Sequence, residues 1–138
     1  MLELKKASKS YGSLKALDSV SLAVNQGDLF AVLGQSGCGK TTLLRIISGL
    51  EPPDGGEVLL KGNVASSAGR VIMPPHARGI NMVFQDLAIW PHMTIGENVA
   101  FGLRSRGIKG GGEEKAVKAA LEMVCLAKPP DAYPSNLS

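Results

Sequence analysis

The sequence predicts an α/β fold, and three features lead to it. The apolar run Leu29-Phe30-Ala31-Val32-Leu33 gives way to Gly34-Gln35-Ser36-Gly37-Cys38-Gly39-Lys40-Thr41-Thr42, which opens a helical pattern at Leu43-Leu44-Arg45-Ile46-Ile47. That is strand, glycine-rich loop, helix. Before it, two runs alternate apolar and polar residues with the period of half-exposed strands. After it, apolar residues return as a strand-like run and then at helical spacing. The chain has 138 residues and is 44% hydrophobic, enough for one ordinary core and no reason to expect two independent domains.

Taken in order, Leu2 to Ala7 alternates apolar with charged residues, and Tyr11-Gly12-Ser13 is a turn. Val20, Leu22 and Val24 then point one way, with Ser19, Ser21, Ala23 and Asn25 opposite, so two antiparallel strands precede the loop. Gln26-Gly27-Asp28 turns the chain into the loop's own strand, Leu29 to Leu33. A helix from about Gly39 carries Leu43, Leu44, Ile46, Ile47 and Leu50 on a face wide enough to bury against a sheet, and Gly49 with Pro52-Pro53 ends it. Asp54-Gly55-Gly56 is a turn and Glu57 to Lys61 a third strand. Asn63 to Gly79 is a polar connection without readable register. Ile80 to Phe84 reads as a buried strand ending at Gln85-Asp86.

Beyond Gln85 the pattern changes. Leu87-Ala88-Ile89-Trp90-Pro91-His92-Met93 is apolar without period, and its proline argues for a loop. Thr94-Ile95-Gly96-Glu97 is a capping box, which predicts a helix from Ile95 to about Arg104. Gly107 to Gly112 is a flexible tip. A further helix from Glu113 to about Leu126 puts Val117, Ala120, Leu121, Val124 and Cys125 on one face and pairs Glu114 with Lys118, until Pro129-Pro130 stops it.

A net charge of +3 and a pI near 9.0 are mildly basic. The cations are scattered and aromatics make up only 4%, so stacking platforms for nucleic acid are not evident, and the surplus suits an anionic nucleotide. Cys38 and Cys125 have no CxxC spacing, the first residues are not those of a signal peptide, and no stretch has the apolar length of a membrane span. These features predict a reduced, cytosolic, soluble chain.

The nine residues from Gly34 to Thr42 carry the chemistry, spaced G-x-x-x-x-G-K-[ST]. Glycines let the backbone wrap polyphosphate with N–H groups inward, the helix N-terminus adds partial positive charge, Lys40 adds a full one, and Thr41 offers a hydroxyl to Mg²⁺. The alternative is a glycine-rich turn with a chance lysine, against which stands the flanking strand and helix, the context this motif requires. Cys38 lies at the helix N-terminus beside Lys40, where thiols are reactive; an inert small filler is the other reading. Tyr11, taken alone, reads as a residue packing on the sheet.

Tyr11, GQSGCGKTT, VFQD at Val83 to Asp86 and WPHMTIGENVAFGL at Trp90 to Leu103 together resemble the ATP-binding subunits of ABC transporters, within them the importer subunits of the maltose, polyamine, iron and sulfate type. The resemblance covers essentially the whole chain. It implies a P-loop NTPase (RecA-like) core at 1–86 and the start of a helical subdomain at 87–138 of a single truncated domain. It further implies that Tyr11 stacks on adenine, that Gly34, Ser36, Gly37, Cys38, Gly39, Lys40, Thr41 and Thr42 cradle ATP, with Lys40 on the β and γ phosphates, and that Thr41 ligates Mg²⁺. Gln85 would reach Mg²⁺ and the attacking water, the chain's one catalytic residue. Leu87 to Met93 would lie under a cytoplasmic helix of a membrane permease subunit, although Trp90 merely closing a core is the alternative from packing alone. A second ATP-binding subunit is the other implied partner, and the location is the inner face of the cell membrane.

Two departures stand out. Gln35 replaces a frequent proline, which a backbone cradle tolerates. Relatives continue from Tyr-Pro-Ser-Asn-Leu-Ser into the signature sequence, a catalytic glutamate and a switch histidine, whereas this sequence stops at Leu137-Ser138 and neither His76 nor His92 stands in the switch position. The expectation is therefore an N-terminal fragment of an import ATPase that binds nucleotide without turnover, since phosphoryl transfer needs positioning groups from the later half. A soluble ABC ATPase acting on nucleic acid or ribosomes is the alternative, against which the missing basic and aromatic clusters speak. The central strands of a parallel sheet would also be missing, so the chain is expected to pair its edges with another chain, to move its own strands together, or to stay partly disordered after Gln85. The transported solute is not legible.

Overall fold

The computed structural model describes residues 1–85, 88–126 and 129–136, which form two compact units, Met1–Met82 and Val83–Ser138. The first unit is a five-stranded antiparallel sheet backed by one helix. Its strands are β1 (Leu2–Tyr11), β2 (Leu14–Val24), β3 (Gly55–Leu60), β4 (Asn63–Ser67) and β5 (Arg70–Val71), in spatial order β2-β1-β3-β4-β5. Three two-residue turns set the registers, pairing Tyr11 with Leu14, Leu60 with Asn63 and Ser67 with Arg70. In the second of these Lys61 and Gly62 both have positive φ, at 52° and 81°, as the tight hairpin turn matched to strand twist requires. The connection that carried no readable register thus holds two strands of the sheet.

Helix α1 (Lys40–Ser48) lays Leu43 and Ile46 on Leu4, Ala7, Leu17, Val58, Leu60 and Ala65 of the sheet. Leu4, Ile46 and Val58 are fully buried, while Leu44 and Leu50 are about half exposed, so the apolar face of α1 is narrower than its sequence implied. Gly49 closes the helix in the left-handed conformation, its N–H reaching back to Arg45 and Ile46. The remaining carbonyls there meet Arg78. Its buried guanidinium donates to the carbonyls of Ile46 (3.2 Å), Ile47 (2.7 Å), Met73 (2.8 Å) and Ala65 (2.9 Å) and to Ser66 Oγ (2.6 Å). Burial pushes the pKa of Arg78 below its ordinary value. With no carboxylate among these partners, the cation is held by carbonyl dipoles at the negative end of a helix.

Two predicted strands are not strands. Leu29 to Leu33 belongs to no ladder, and Leu29 and Leu33 are 101% and 91% exposed. Ile80 to Phe84 is likewise unpaired, with Ile80 resting on the core of the first unit and Val83, in the second, 90% exposed. The physical reason is the same for both: a run apolar on both faces is stable as a strand only between neighbours, and no described segment supplies a ladder partner.

The second unit contains α2 (Ile95–Ser105) and α3 (Gly111–Met123), which bury Ile95, Ala100, Val117 and Leu121 together. The predicted capping box is present: Thr94 Oγ1 accepts from the Glu97 N–H (3.2 Å) and Glu97 Oε2 accepts from the Thr94 N–H (2.7 Å). The next free donors of α2, the N–H groups of Ile95 and Gly96, go to the carbonyls of Ala132 and Pro130 at 2.8 and 2.7 Å. A side chain at Gly96 would press on Pro130. Arg104 and Glu113 form a two-pronged ion pair at 3.0 and 2.8 Å. The expected Glu114–Lys118 pair is replaced by Lys118–Glu122 at 3.9 Å. Val124 and Cys125 are exposed and leave the apolar face assigned to them, because α3 ends at Met123 and Cys125 turns away with φ 53°.

Candidate nucleotide site

The loop from Gly34 to Gly39 leads straight into α1, whose first-turn N–H groups have no intrahelical partners and receive no side-chain cap among the described residues. Gly39, the residue before the helix, has φ 94°, and a Cβ there would run into the carbonyl oxygen of Ala16 in β2. Glycine is therefore required both by the turn and by the approach of the sheet. The loop carbonyls gather around one cation: Lys40 Nζ donates to the carbonyls of Gly34 (2.7 Å) and Gln35 (2.6 Å) and lies 3.5 Å from Cys38 Sγ. The result is a concentrated positive end, one ammonium and several unpaired amides within a single turn, which suits an anion with several oxygens.

Ser36 and Thr41 are exposed at this turn, and Thr42 is half-buried beside them. A hydroxyl at the loop's end fits Mg²⁺, which takes one or two protein oxygens and completes its shell with phosphate and water. Among the described residues there is no cluster of three His, Cys, Asp or Glu side chains that could hold a metal ion by itself.

Tyr11 ends β1 with nearly half of its surface exposed, but it is not a free side chain. Its hydroxyl donates to Glu51 Oε2 at 2.7 Å, and Lys9 Nζ stands 5.8 Å from the ring centre. Lys9 in turn bonds Asp54 Oδ1 (2.9 Å) and the Pro52 carbonyl (3.0 Å) and lies 3.5 Å from Glu51. Asp54 Oδ2 also accepts from the Ser10 N–H at 2.7 Å. The Asp54 hydrogen bond, more than any other effect, raises the pKa of Lys9, and the same bond together with the Ser10 N–H lowers that of Asp54.

Gln85 is exposed and belongs to the second unit, where Trp90 packs against Phe101 with ring centres 4.4 Å apart and planes inclined by 49°. Asn98 fastens the Trp90 loop to the start of α2. Its Oδ1 accepts from the Trp90 N–H (2.9 Å), and its Nδ2 donates to the carbonyls of Trp90, Met93 and Thr94 at 2.9 to 3.2 Å. Asp86 and Leu87, parts of the motif and patch predicted here, and Leu137 and Ser138 at the tail, lie outside the described residues. The structure thus gathers the loop residues in the first unit and leaves Gln85 in the other. Sequence reasoning missed Lys9, Glu51, Asp54, Arg78 and Asn98, whose partners are mostly distant in sequence or backbone.

Comparison with known proteins agrees with this loop geometry, for residues 17–138 match the ABC transporter family. The chain belongs to that family. Among curated members it is 43% identical over all 138 residues to the spermidine/putrescine import ATP-binding protein PotA of Nitrosomonas europaea, and 46% identical to PotA of Lawsonia intracellularis. The ABC chain spans 37% and 36% of the lengths of those relatives. Its fold superposes over its whole length on 63% of the ATP-binding cassette MJ0796, solved as a dimer in a post-hydrolysis state with ADP and Pi, at a TM-score of 0.78 and 28% identity. Another dimeric structure of MJ0796, a bacterial ABC transporter cassette, gives 0.76. Among the described residues no helix is long and apolar enough to cross a membrane.

Proposed function

We propose that this chain is the nucleotide-binding part of the ATPase subunit of an ABC importer, with 1–86 belonging to the ATP-binding core and 87–138 opening the helical subdomain. Mg-ATP binds at the loop: Gly34, Ser36, Gly37, Cys38, Gly39 and Thr42 cradle the phosphates, Lys40 leaves its loop carbonyls for the β and γ phosphates, and Thr41 ligates Mg²⁺. Tyr11 stacks on the adenine. In the whole protein Gln85 orients water and metal, the Leu87 to Met93 region docks on a membrane permease, and a second ATP-binding subunit completes the site on the cytoplasmic face. The likeness to import ATPases supports the solute-transport role, with polyamines as the solute class that those relatives' names carry.

The observation that carries this reading is the Lys40 ammonium ringed by its own loop at an uncapped helix start. Calorimetric titration of Mg-ATP into the chain and its Lys40→Ala variant tests it. Loss of a charge-assisted contact weakens binding by about 1.5 to 3 kcal/mol. Equal affinities would sink the assignment.

A further inference from the structure

The side chains around Tyr11 do more than fill space. Glu51 lies two residues beyond Gly49, the C-terminal cap of α1, and holds the Tyr11 hydroxyl at 2.7 Å. On the other strand of the same hairpin, Ala16 and Leu17 crowd Gly39 at the N-terminal end of α1, and Leu17 is the ladder partner of Lys9. The hairpin end that bears Tyr11 is therefore tied to both ends of the helix whose start forms the phosphate loop. Lys9, its side chain only 12% exposed, is anchored on Asp54 and the Pro52 carbonyl and stands over one side of the ring. A tyrosine that merely packed would be covered, yet this one keeps 44% of its surface exposed while its polar tip is fixed.

We infer that Glu51 is a positioning residue for base recognition: by holding the Tyr11 hydroxyl it fixes the ring in the plane that receives adenine, with Lys9 closing one side and leaving the other to the base. This rests on the reading that Tyr11 meets the base and deepens it. The Glu51 carboxylate meets Tyr11 and Lys9, neither of them a residue of the Gly34 to Thr42 loop, so it acts on the affinity for the nucleotide's base and not on that for its phosphates. A residue needed only for folding would affect both alike.

The experiment compares Mg-ATP with inorganic triphosphate, which occupies the loop but has no base, as titrants of the 138-residue chain. Glu51→Ala is expected to weaken ATP about three- to tenfold, the scale of one lost hydrogen bond, and to leave triphosphate within about twofold of the parent chain. Tyr11→Phe, which keeps the ring and deletes the hydroxyl, should give the same change, and the double variant should add nothing further. Glu51→Gln retains an acceptor oxygen and should stay near the parent. If Glu51→Ala and Tyr11→Phe leave the ATP-to-triphosphate ratio unchanged while Tyr11→Ala lowers it, the inference fails and the stacking role of Tyr11 stands. A ratio unmoved by Tyr11→Ala overturns both. Parallel losses of both ligands in Glu51→Ala would show that Glu51 only supports the fold.

Discussion

Strand β1 and the segment Leu29 to Leu33 lie in the same unit, and the more apolar of the two is the one that fails to become a strand. β1 is mostly charged or polar, yet it pairs with β2 on one edge and β3 on the other and buries Leu4 and Ala7 completely. The other run is apolar throughout, follows a turn and precedes a helix, and it stays unpaired with Leu29 and Leu33 in solvent. Strand propensity describes how well a residue fits a pleated surface between neighbours; it does not create the neighbour. Even the irregularities of β1 are patched by partners, since the Lys6 N–H bonds Ser21 Oγ and Ser8 Oγ accepts from Ser19, each at 2.9 Å.

The largest test of this contrast is hydrogen exchange. Ladder amides of β1 should exchange only through opening of the whole sheet, and those of Leu29 to Leu33 near the rate of an unstructured peptide, a gap of about 10³-fold or more. Comparable protection in both stretches would mean that the run finds a partner in solution. Next in size are truncations. Ile46→Ala removes a side chain with no exposed surface and should cost about 2 to 5 kcal/mol, whereas Leu29→Ala should change stability by no more than about 0.5 kcal/mol. Urea unfolding followed by far-ultraviolet circular dichroism reads both; Trp90 sits in the other unit and would report on that one.

The sheet motif and the loop differ in how much of each was readable beforehand. The glycine-rich loop leading into α1, the capping box and the first hairpin were legible because each is set by residues a few positions apart. β4 and β5 were not, since their registers rest on the turns Lys61-Gly62 and Ala68-Gly69, which look like ordinary loop composition. Tyr11 and Glu51 are 40 residues apart, so only the folded chain joins them. Arg78 answers mostly to carbonyls, which every residue has and no sequence advertises. Leu29 to Leu33 was over-read for the opposite reason: its composition is that of a buried strand, and composition is silent about partners.

The smallest effect separates the two regions by pH. Asp54 has its pKa lowered below 3.8 by Lys9 and the Ser10 N–H, so its contribution is present above the unfolded value and is lost as pH falls through the folded one. Lys9 has its pKa raised above 10.5, so its contribution is complete below that value and disappears as pH rises through the folded one. Between these limits the end of β1 stays clamped. Amide shifts of Ser10 and Tyr11 should titrate at both extremes while those of Leu29 to Leu33 follow neither; a Ser10 shift flat through the acid limb would remove the clamp.

Gly49 and Arg78 carry a consequence for how this chain can change. The place where a Cβ on Gly49 would project is filled by the Arg78 guanidinium, and the backbone there sits at φ 80°. A side chain at position 49 must evict the cation and strand the carbonyls it serves, while a shorter residue at 78 would open room that glycine cannot fill. The two positions are 29 apart in the chain but behave as one heritable unit: the burden of a change at 49 depends on which residue occupies 78, and a drifting sequence has to cross both or neither.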